Sequence, residues 1–590
     1  MSGAEFMTDV LIDRRDLEFL MYDWLRAERL YARPMYADHS RESVAAVLDL
    51  AEQIAADWFL PHYKDADRHE PRLEADGVHV LPAVGEALRQ YAAVGLFAAG
   101  FGETLGGMGL PYLVQSAVFA QFAAANIATS GYVMLTVANA RLIATFGTAA
   151  QIEAFARPQI DGRWFGTMCL SEPQAGSSLG DIRTRAIPDG TDELGQRHRI
   201  HGNKMWISGG DQDVSENIVH LVLAKVPGPD GVLVDGTKGI SLFIVPKRLP
   251  DGTANDVRVA GLNHKMGYRG TANCLLNFGE RGGATGWLVG APGDGLAQMF
   301  QMMNEARIGV GLGAAVLGYR GYRQSLRYAR ERLQGRLPGV RGGAPVPLIE
   351  HADVKRMLLE QKAWAEGAVA LCLYCARLVD EHDDPESAAL LGLLTPVAKT
   401  WPSEHGLAAN DLAIQIHGGY GYTRDFDVEQ LYRDNRLNPI HEGTTGIQAL
   451  DLLGRKILRD DGQGLAAARR RIRACCEAAE SVPALRGHAE ALMLLWEAIA
   501  STIGVLSRAP GVTAFDNATP FLRAFGHGVV AWLWLEQAVV AAAAREDGFH
   551  AGKLRACRWF FESEVPRARL WLDFVATLSD VSAGMPADGF

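Results

Sequence analysis

Apolar positions recur at three- and four-residue spacing from residue 13 to about residue 162. Leu17, Leu20, Met21 and Leu25 form one such stripe, and Leu81, Val84, Leu88 and Tyr91 another. At 3.6 residues per turn that spacing gathers the apolar side chains on one face, so it predicts amphipathic helices. A glycine-rich stretch at 101–111 and the pair Gly147 and Thr148 punctuate the pattern. Between Trp164 and Phe278 the period changes. Short β-branched or alternating runs at 198–207, 218–226, 240–245, 256–260 and 273–278 are separated by clusters of Gly, Pro, Asp and Asn, which predicts antiparallel sheet or barrel. Helical spacing returns over 295–336, 350–381 and 391–416, and again beyond about 457. There Trp496, Trp532, Trp534, Trp559 and Trp571 fall on apolar stripes.

Helix and strand are therefore segregated along the chain. This points to an α+β protein and away from a doubly wound nucleotide fold. The expected segments are a helical domain at 7–163, a β-barrel domain at 164–282, a helical domain at 283–457 and a further helical domain at 458–590. The first six residues, ahead of Met7, read as a cloning remnant. The glycines at 309–313 lie inside a helical pattern, where they allow close helix packing and do not form a dinucleotide-binding turn.

Composition narrows the function. With 58 basic and 69 acidic residues, a net charge of −11 argues against nucleic acid or anionic lipid as the partner. Residues 455–590 hold 16 basic and 15 acidic residues, and their one basic cluster, at 469–473, reads as a solvated helix end. Seven cysteines, an odd number, imply no disulfide framework and a reducing cytoplasm. Cys372 and Cys375 form a lone CxxC in an apolar helical run, without a second pair to suggest zinc. No membrane span is expected, because Glu536 and Gln537 interrupt the longest apolar run, 529–544.

Five strings carry candidate chemistry. Leu170-Ser171-Glu172-Pro173-Gln174-Ala175-Gly176-Ser177-Ser178 leaves a strand and offers hydroxyls and backbone N–H groups. It is either an inter-strand turn or a nest for an anionic or carbonyl-rich ligand. Lys204-Met205-Trp206-Ile207-Ser208 ends a strand, with Trp206 either in the barrel core or stacked on an aromatic cofactor. Arg307 enters an apolar helix and needs either a carboxylate or an anionic ligand. Gln415-Ile416-His417-Gly418-Gly419-Tyr420-Gly421-Tyr422 is a glycine-rich turn. In His441-Glu442-Gly443-Thr444-Thr445-Gly446, the carboxylate of Glu442 is placed to be a general base, and the same string can also cap a helix.

Together and in this order, these strings resemble the acyl-CoA dehydrogenase family over about residues 45–455. The added segments at both ends resemble its larger bacterial branch of about 600 residues. The resemblance implies a central β-barrel domain between an N-terminal helical domain and a four-helix bundle, plus an extra C-terminal helical domain. It implies FAD contacts from Met168, Leu170, Ser171, Gly176, Ser177, Trp206 and Ser208. Gln415, Gly418, Gly419 and Arg332 match contacts made across subunits, and Thr444 and Gly446 match contacts after the base. Ser177, Asn304, Arg307 and Gly443 match positions that meet the acyl-CoA.

The implied reaction is removal of the α-proton by Glu442 while the β-hydrogen leaves as hydride to flavin N5, giving a trans-2-enoyl-CoA. A backbone N–H at the position of Glu442 and a flavin hydroxyl polarise the thioester carbonyl in this family. Apolar neighbours such as Ile440 would raise the pKa of the base. The implied electron acceptor is an electron-transfer flavoprotein, and the implied assembly a homodimer. An acyl-CoA oxidase using oxygen, and a family member recruited to bind nucleic acid, are the competing readings. His441 stands where the family commonly has an aromatic residue, and Ser178 where an aspartate is frequent.

Overall fold

A computed structural model of the protein describes residues 11–228, 230–545 and 547–590, apart from the side chains of 301–304. The stretch read as a cloning remnant lies outside the described residues. Contacts group the chain into two units, Pro34–Ala306 and the combination of Met1–Arg33 with Arg307–Phe590.

In the first unit, helices Arg41–Ile54 and Pro82–Ala93 precede α1 (Tyr112–Phe146). Ser40 and Ser43 form a reciprocal capping box at the first of these, satisfying N–H groups that a helix start leaves open. α1 leaves helical geometry at Asn126 (φ −158°, ψ 94°). The Asn126 side chain fills the gap, donating to the Phe59 carbonyl at 3.2 Å and accepting from the Thr129 N–H at 3.2 Å. A short hairpin, β1 (Arg72–Glu74) and β2 (Gly77–His79), interrupts a region expected to be helical. Three-residue strands are too short to show a period.

The remaining strands are β3 (Trp164–Cys169), β4 (Arg185–Asp192), β5 (Gly195–Ser208), β6 (Asn217–Lys225), β7 (Ile240–Pro246), β8 (Val257–Leu262), β9 (Asn273–Phe278) and β10 (Ala284–Leu288). Their order is β10-β7-β6-β4-β5-β9-β8, and β10 also pairs with β5, which closes a ring. β10 falls past the expected edge at 282, and every residue in it is buried, so it shows no alternation to be read. The antiparallel expectation needs correction at β6, which runs parallel to β3 and meets β4 in parallel at Arg185. Asn139 on α1 donates to the Thr167 carbonyl of β3 at 2.9 Å and the Val219 carbonyl of β6 at 2.8 Å. That buried amide fixes the strand from which the 170–178 loop emerges.

In the second unit, the residues of α2 (Gly295–Glu331) from Arg307 onward pack with α3 (Ala352–Asp380) and α4 (Pro385–His417). A Cβ on Gly311 would lie 1.8 Å from the Ala398 carbonyl oxygen. α2 and α4 therefore touch backbone to backbone, as the glycine run predicts. α5 (Gln463–Glu480), α6 (Ala518–Ala543) and α7 (Gly548–Trp559) belong to the C-terminal helices. Residues 11–33, expected with the N-terminal helical domain, group with these instead. Phe19 meets Phe549 edge-on at 5.5 Å, and Asp16 pairs with Lys553 at 2.5 Å.

The basic cluster on α5 is partly structural. Arg471 donates to the Tyr374 hydroxyl at 2.8 Å and the Ser387 hydroxyl at 3.0 Å, and Arg470 pairs with Glu386. All seven cysteines are free and buried. The expectation of no membrane-length segment is corrected. Among the described residues, Tyr112–Phe146, Pro483–Leu506 and Ala518–Ala543 are each long and apolar enough to cross a membrane. The most apolar windows of the first and third are mostly buried inside the protein. In the third, Glu536 accepts from the indole N–H groups of Trp24 and Trp532, so the charge within the apolar run is held by protein partners.

Candidate active site

In the first unit, β3 carries Met168 and delivers Leu170 and Ser171 into a loop organised by one buried carboxylate. Glu172 accepts from Lys204 Nζ at 2.9 Å, from the Thr184 hydroxyl at 2.6 Å and N–H at 3.0 Å, and from the Arg183 N–H at 2.7 Å. Burial pushes the Glu172 carboxyl up, but the Lys204 ammonium and these hydrogen bonds hold it down at about 2. Lys204 also donates to the Leu170 carbonyl at 2.9 Å, and the Met205 N–H donates to the Ser171 carbonyl at 3.0 Å. The loop is thereby stitched to β5. Gly176 and Ser177 remain exposed on its open side.

Directly after this pair, the β5–β9 register shifts between Lys204 and Ile207. Trp206 occupies the bulge with φ +66° and is 59% exposed, so it is not a barrel-core residue. A β-bulge re-aims a side chain, and a non-glycine residue at positive φ persists only where the surroundings impose it. Ser208, two residues on, accepts from Asn273 Nδ2 at 3.1 Å, which leaves its own O–H to donate.

In the second unit, Glu442 sits on a tight turn ahead of helix Thr445–Leu450. Its φ is +51° and that of Gly443 is +90°, and successive residues in this region form a nest of N–H groups. Among the described residues, the N–H groups of Glu442, Gly443 and Thr444 make no hydrogen bond. The carbonyls are held instead. Gln448 Nε2 donates to the Glu442 carbonyl at 3.1 Å, and Lys399 Nζ donates at 2.7 Å to the carbonyls of Asn438 and Gly443. Thr444 caps the following helix by accepting from the Ile447 N–H, so the cap and the exposed carboxylate coexist in one string.

The Glu442 side chain is open to solvent at contact range but surrounded by protein beyond it. That enclosure raises its pKa, against the opposing charges of Lys399 and Arg307. Ile440 is half exposed and is not the buried apolar neighbour expected for the base. His441 donates from Nε2 to Asn438 Oδ1 at 3.0 Å, and burial followed by the Lys399 charge pushes its pKa down to about 3. It is neutral and serves as a prop.

Arg307 pairs with Asp451 at 2.6 Å in the interior, and Asp451 is shared with Arg455 at 2.5 Å. The ion-pair alternative is therefore formed, although Arg307 Nε is buried without a partner. The Asn304 side chain lies outside the described residues. Arg332, His417, Gly418, Gly419 and Tyr420 line one recess of about 480 Å³, with the Arg332 guanidinium 5.9 Å from the centroid of the Tyr420 ring. Gly418 takes φ +60° and ψ −137° at the end of α4, a conformation open to glycine. Gln415 is exposed on the last turn of α4, and Thr444 and Gly446 are exposed beside Glu442.

No motif in the sequence marks a role for Glu172, Lys204, Lys399, Gln448 or Asp451. A signal existed for two of them. Lys204 shares the parity of buried His198 and Ile200 on β5, and Lys399 lies mid-helix among apolar residues. A cation at a core position demands a partner.

The chain matches "Acyl-CoA dehydrogenase, N-terminal domain" over residues 41–163, the middle domain over 167–280 and the C-terminal domain over 293–458. "Acetyl-CoA dehydrogenase C-terminal like" follows over 469–586. It is 36% identical over 463 residues to the 3-methylmercaptopropionyl-CoA dehydrogenase of Ruegeria pomeroyi, covering 76% of each chain. It is 33% identical over 607 residues to the broad-specificity linear acyl-CoA dehydrogenase FadE5 of Mycobacterium tuberculosis, covering 96% of this chain and 97% of that protein. Among solved structures, an acyl-CoA dehydrogenase complexed with FAD from Bacillus anthracis superposes with TM-score 0.72 at 21% identity, over 92% of this chain and 89% of that one. With the family's domains matched in order and two relatives above 30% identity, the chain is an enzyme that belongs to the acyl-CoA dehydrogenase family.

Proposed function

We propose that the enzyme desaturates an acyl-CoA thioester between its α- and β-carbons, with Glu442 removing the α-proton and FAD as the cofactor. The observation that carries this reading is the Glu442 turn: an accessible carboxylate of raised pKa beside backbone N–H groups that nothing in the described residues accepts from. An α-proton of a thioester is too weakly acidic for a carboxylate unless the carbonyl is polarised, and preorganised N–H donors supply that.

The residues present fit FAD. An exposed tryptophan is held at positive φ on one unit, beside an open glycine-serine loop. On the other, glycines and an arginine line an open recess. When bound, FAD supplies a two-electron acceptor for the hydrogen leaving the β-carbon. Trp206, Ser171 and Ser208 would orient it from one unit; Arg332, Gln415, Gly418 and Gly419 would do so in a homodimer, from the partner copy. Ser177 on the first unit and Gly443 on the second match positions that meet the acyl-CoA in the family, and Arg307, which matches another, is paired with Asp451. Electrons pass on to an electron-transfer flavoprotein, a step that rests on the family resemblance.

The test is anaerobic titration of the FAD-loaded protein with acyl-CoAs, following flavin absorbance. The panel takes sulfur-containing and linear chains, the classes named for the two relatives. Bleaching by one class in the wild type, slowed about 10²–10⁴-fold in Glu442→Gln with FAD retained, is the expected result for loss of a general base. An unchanged rate in that variant would remove Glu442 from the reaction. Because the base must be ionised, bleaching quickens as pH rises through its elevated pKa. Oxygen uptake with substrate, in place of reduction of the flavoprotein acceptor, would make the enzyme an oxidase.

A further inference from the structure

Lys399 lies in the middle of α4 with its side chain fully buried. Burying an ammonium is costly unless both its N–H groups and its charge are answered. The backbone answers two of the N–H groups, at 2.7 Å from the Asn438 carbonyl and 2.7 Å from the Gly443 carbonyl. These carbonyls flank Glu442, one before it in the turn and one directly after. The carboxylates that act on Lys399 are those of Glu442 and, more weakly, Glu404.

The turn needs such support. A left-handed φ is sterically unfavourable at a residue with a side chain, and Glu442 adopts one next to Gly443. Pro396 and Pro402 stand on either side of Lys399 within α4. Pro402 has no N–H to offer the Ala398 carbonyl, and the Ser403 hydroxyl donates to the Lys399 carbonyl at 2.5 Å. The other flank of the turn is braced by an amide ladder. Asn435 donates to the Ala314 carbonyl at 3.0 Å, Asn438 donates to Asn435 Oδ1 at 2.9 Å, and His441 donates to Asn438.

We propose that Lys399 is a positioning residue for Glu442, tying the Asn438 and Gly443 carbonyls to α4 so that the turn between them aims the carboxylate. This rests on the reading of Glu442 as the base. The lysine also acts through its charge. Burial pushes Lys399 down to about 8, against the pull of Glu442, so at neutral pH it is mostly a cation and favours the ionised form of Glu442. Arg307 on α2 favours it too, with Asp451 and Arg455 behind it. His441 is neutral there, and Glu404, which is paired with Arg523, acts on Lys399 and not on Glu442.

The experiment is stopped-flow flavin reduction by acyl-CoA in the FAD-loaded full chain, for wild type, Lys399→Met, Lys399→Gln and Glu442→Gln, across the neutral pH range. Misaiming a reacting group costs on the order of 100-fold, so Lys399→Met is expected to lower the limiting rate by that factor with little change in half-saturating acyl-CoA. Loss of a nearby cation is expected to move the rising limb of its pH profile up by about one unit. Lys399→Gln, which can still donate to one carbonyl, recovers part of the rate but keeps the displaced limb. If Lys399→Met does not fold, Lys399→Gln decides by the same two readouts. A wild-type limiting rate and limb in the lysine variants, with Glu442→Gln inactive, overturns the positioning role alone. A wild-type rate in Glu442→Gln overturns the base and the positioning role together.

Discussion

The ammonium of Lys204 lies 2.9 Å from the carboxylate of Glu172 with both side chains removed from solvent, and Trp206 stands exposed two residues beyond it. The pair is the anchor from which both the 170–178 loop and the strained bulge are held. A buried ion pair contributes little net stability compared with apolar packing, but losing one partner leaves a charge in the interior at about 3–5 kcal/mol.

Lys204→Met is therefore expected to destabilise the protein by about 3–5 kcal/mol and to lower its retained flavin, read by chemical denaturation and by the absorbance of the purified protein. The pair also predicts acid sensitivity. Glu172 is held at about 2, below its ordinary 4.5. Its contribution is thus fully present above the unfolded-state value and lost as pH falls through the folded one. An acid-unfolding midpoint that does not change in Glu172→Gln would contradict this.

Trp206→Gly separates strain from binding. Glycine takes a positive φ without steric cost, so the flavin-free protein is expected to melt no lower than wild type. The same change removes the aromatic face, so FAD dissociates more readily. Fluorescence-monitored flavin release and calorimetry of the flavin-free protein read the two effects separately. Equal losses in both would mean that Trp206 packs rather than binds.

Lys553 is fully buried between Asp16 at 2.5 Å and Glu366 at 2.8 Å, and Glu366 also pairs with Lys362. Lys553→Met leaves two carboxylates short of a cation. It is expected to cost about 3–5 kcal/mol and to release the N-terminal segment, seen as faster hydrogen exchange over residues 14–24. Unchanged exchange there would show that Phe19 and its apolar neighbours hold the segment unaided.

His79 joins the β1–β2 hairpin to the loop after β5, with Asp76 and Asp213 each at 2.8 Å. Those two hydrogen bonds raise its pKa from 6.5 to about 9. A raised folded-state value means that the tether is fully present below about pH 6.5 and is lost as pH rises through about 9. Proteolysis or hydrogen exchange of residues 72–79 should quicken over that window, and an NMR titration of His79 near 6.5 would refute it.

How much of this was legible beforehand differs from residue to residue. The change from a 3.6-residue to a two-residue period at Trp164, and back near Gly295, foretold the order of helix and strand because periodicity is a local consequence of backbone geometry. Glu442 and Trp206 stand out in short strings, since turns and strand ends constrain their own residue types, but the left-handed turn of the first and the bulge of the second are seen only in the structure. The parallel pairing of β3 with β6, the ring closure by β10 and the seating of residues 11–33 on the C-terminal helices were not legible. Each depends on which distant surface a segment meets, and a fully buried strand shows no alternation.

The partners of the buried charges belong to the same category. Local pattern marks Lys204 by its parity on β5 and Lys399 by its apolar neighbours, and leaves Lys553 unmarked. Only the tertiary structure decides that a carboxylate answers the first and third and that two backbone carbonyls answer the second. Apolar burial depends on area and carries no direction, so composition and spacing can anticipate it. Satisfying a buried charge or orienting a carboxylate is a matter of distance and angle between groups far apart in the chain.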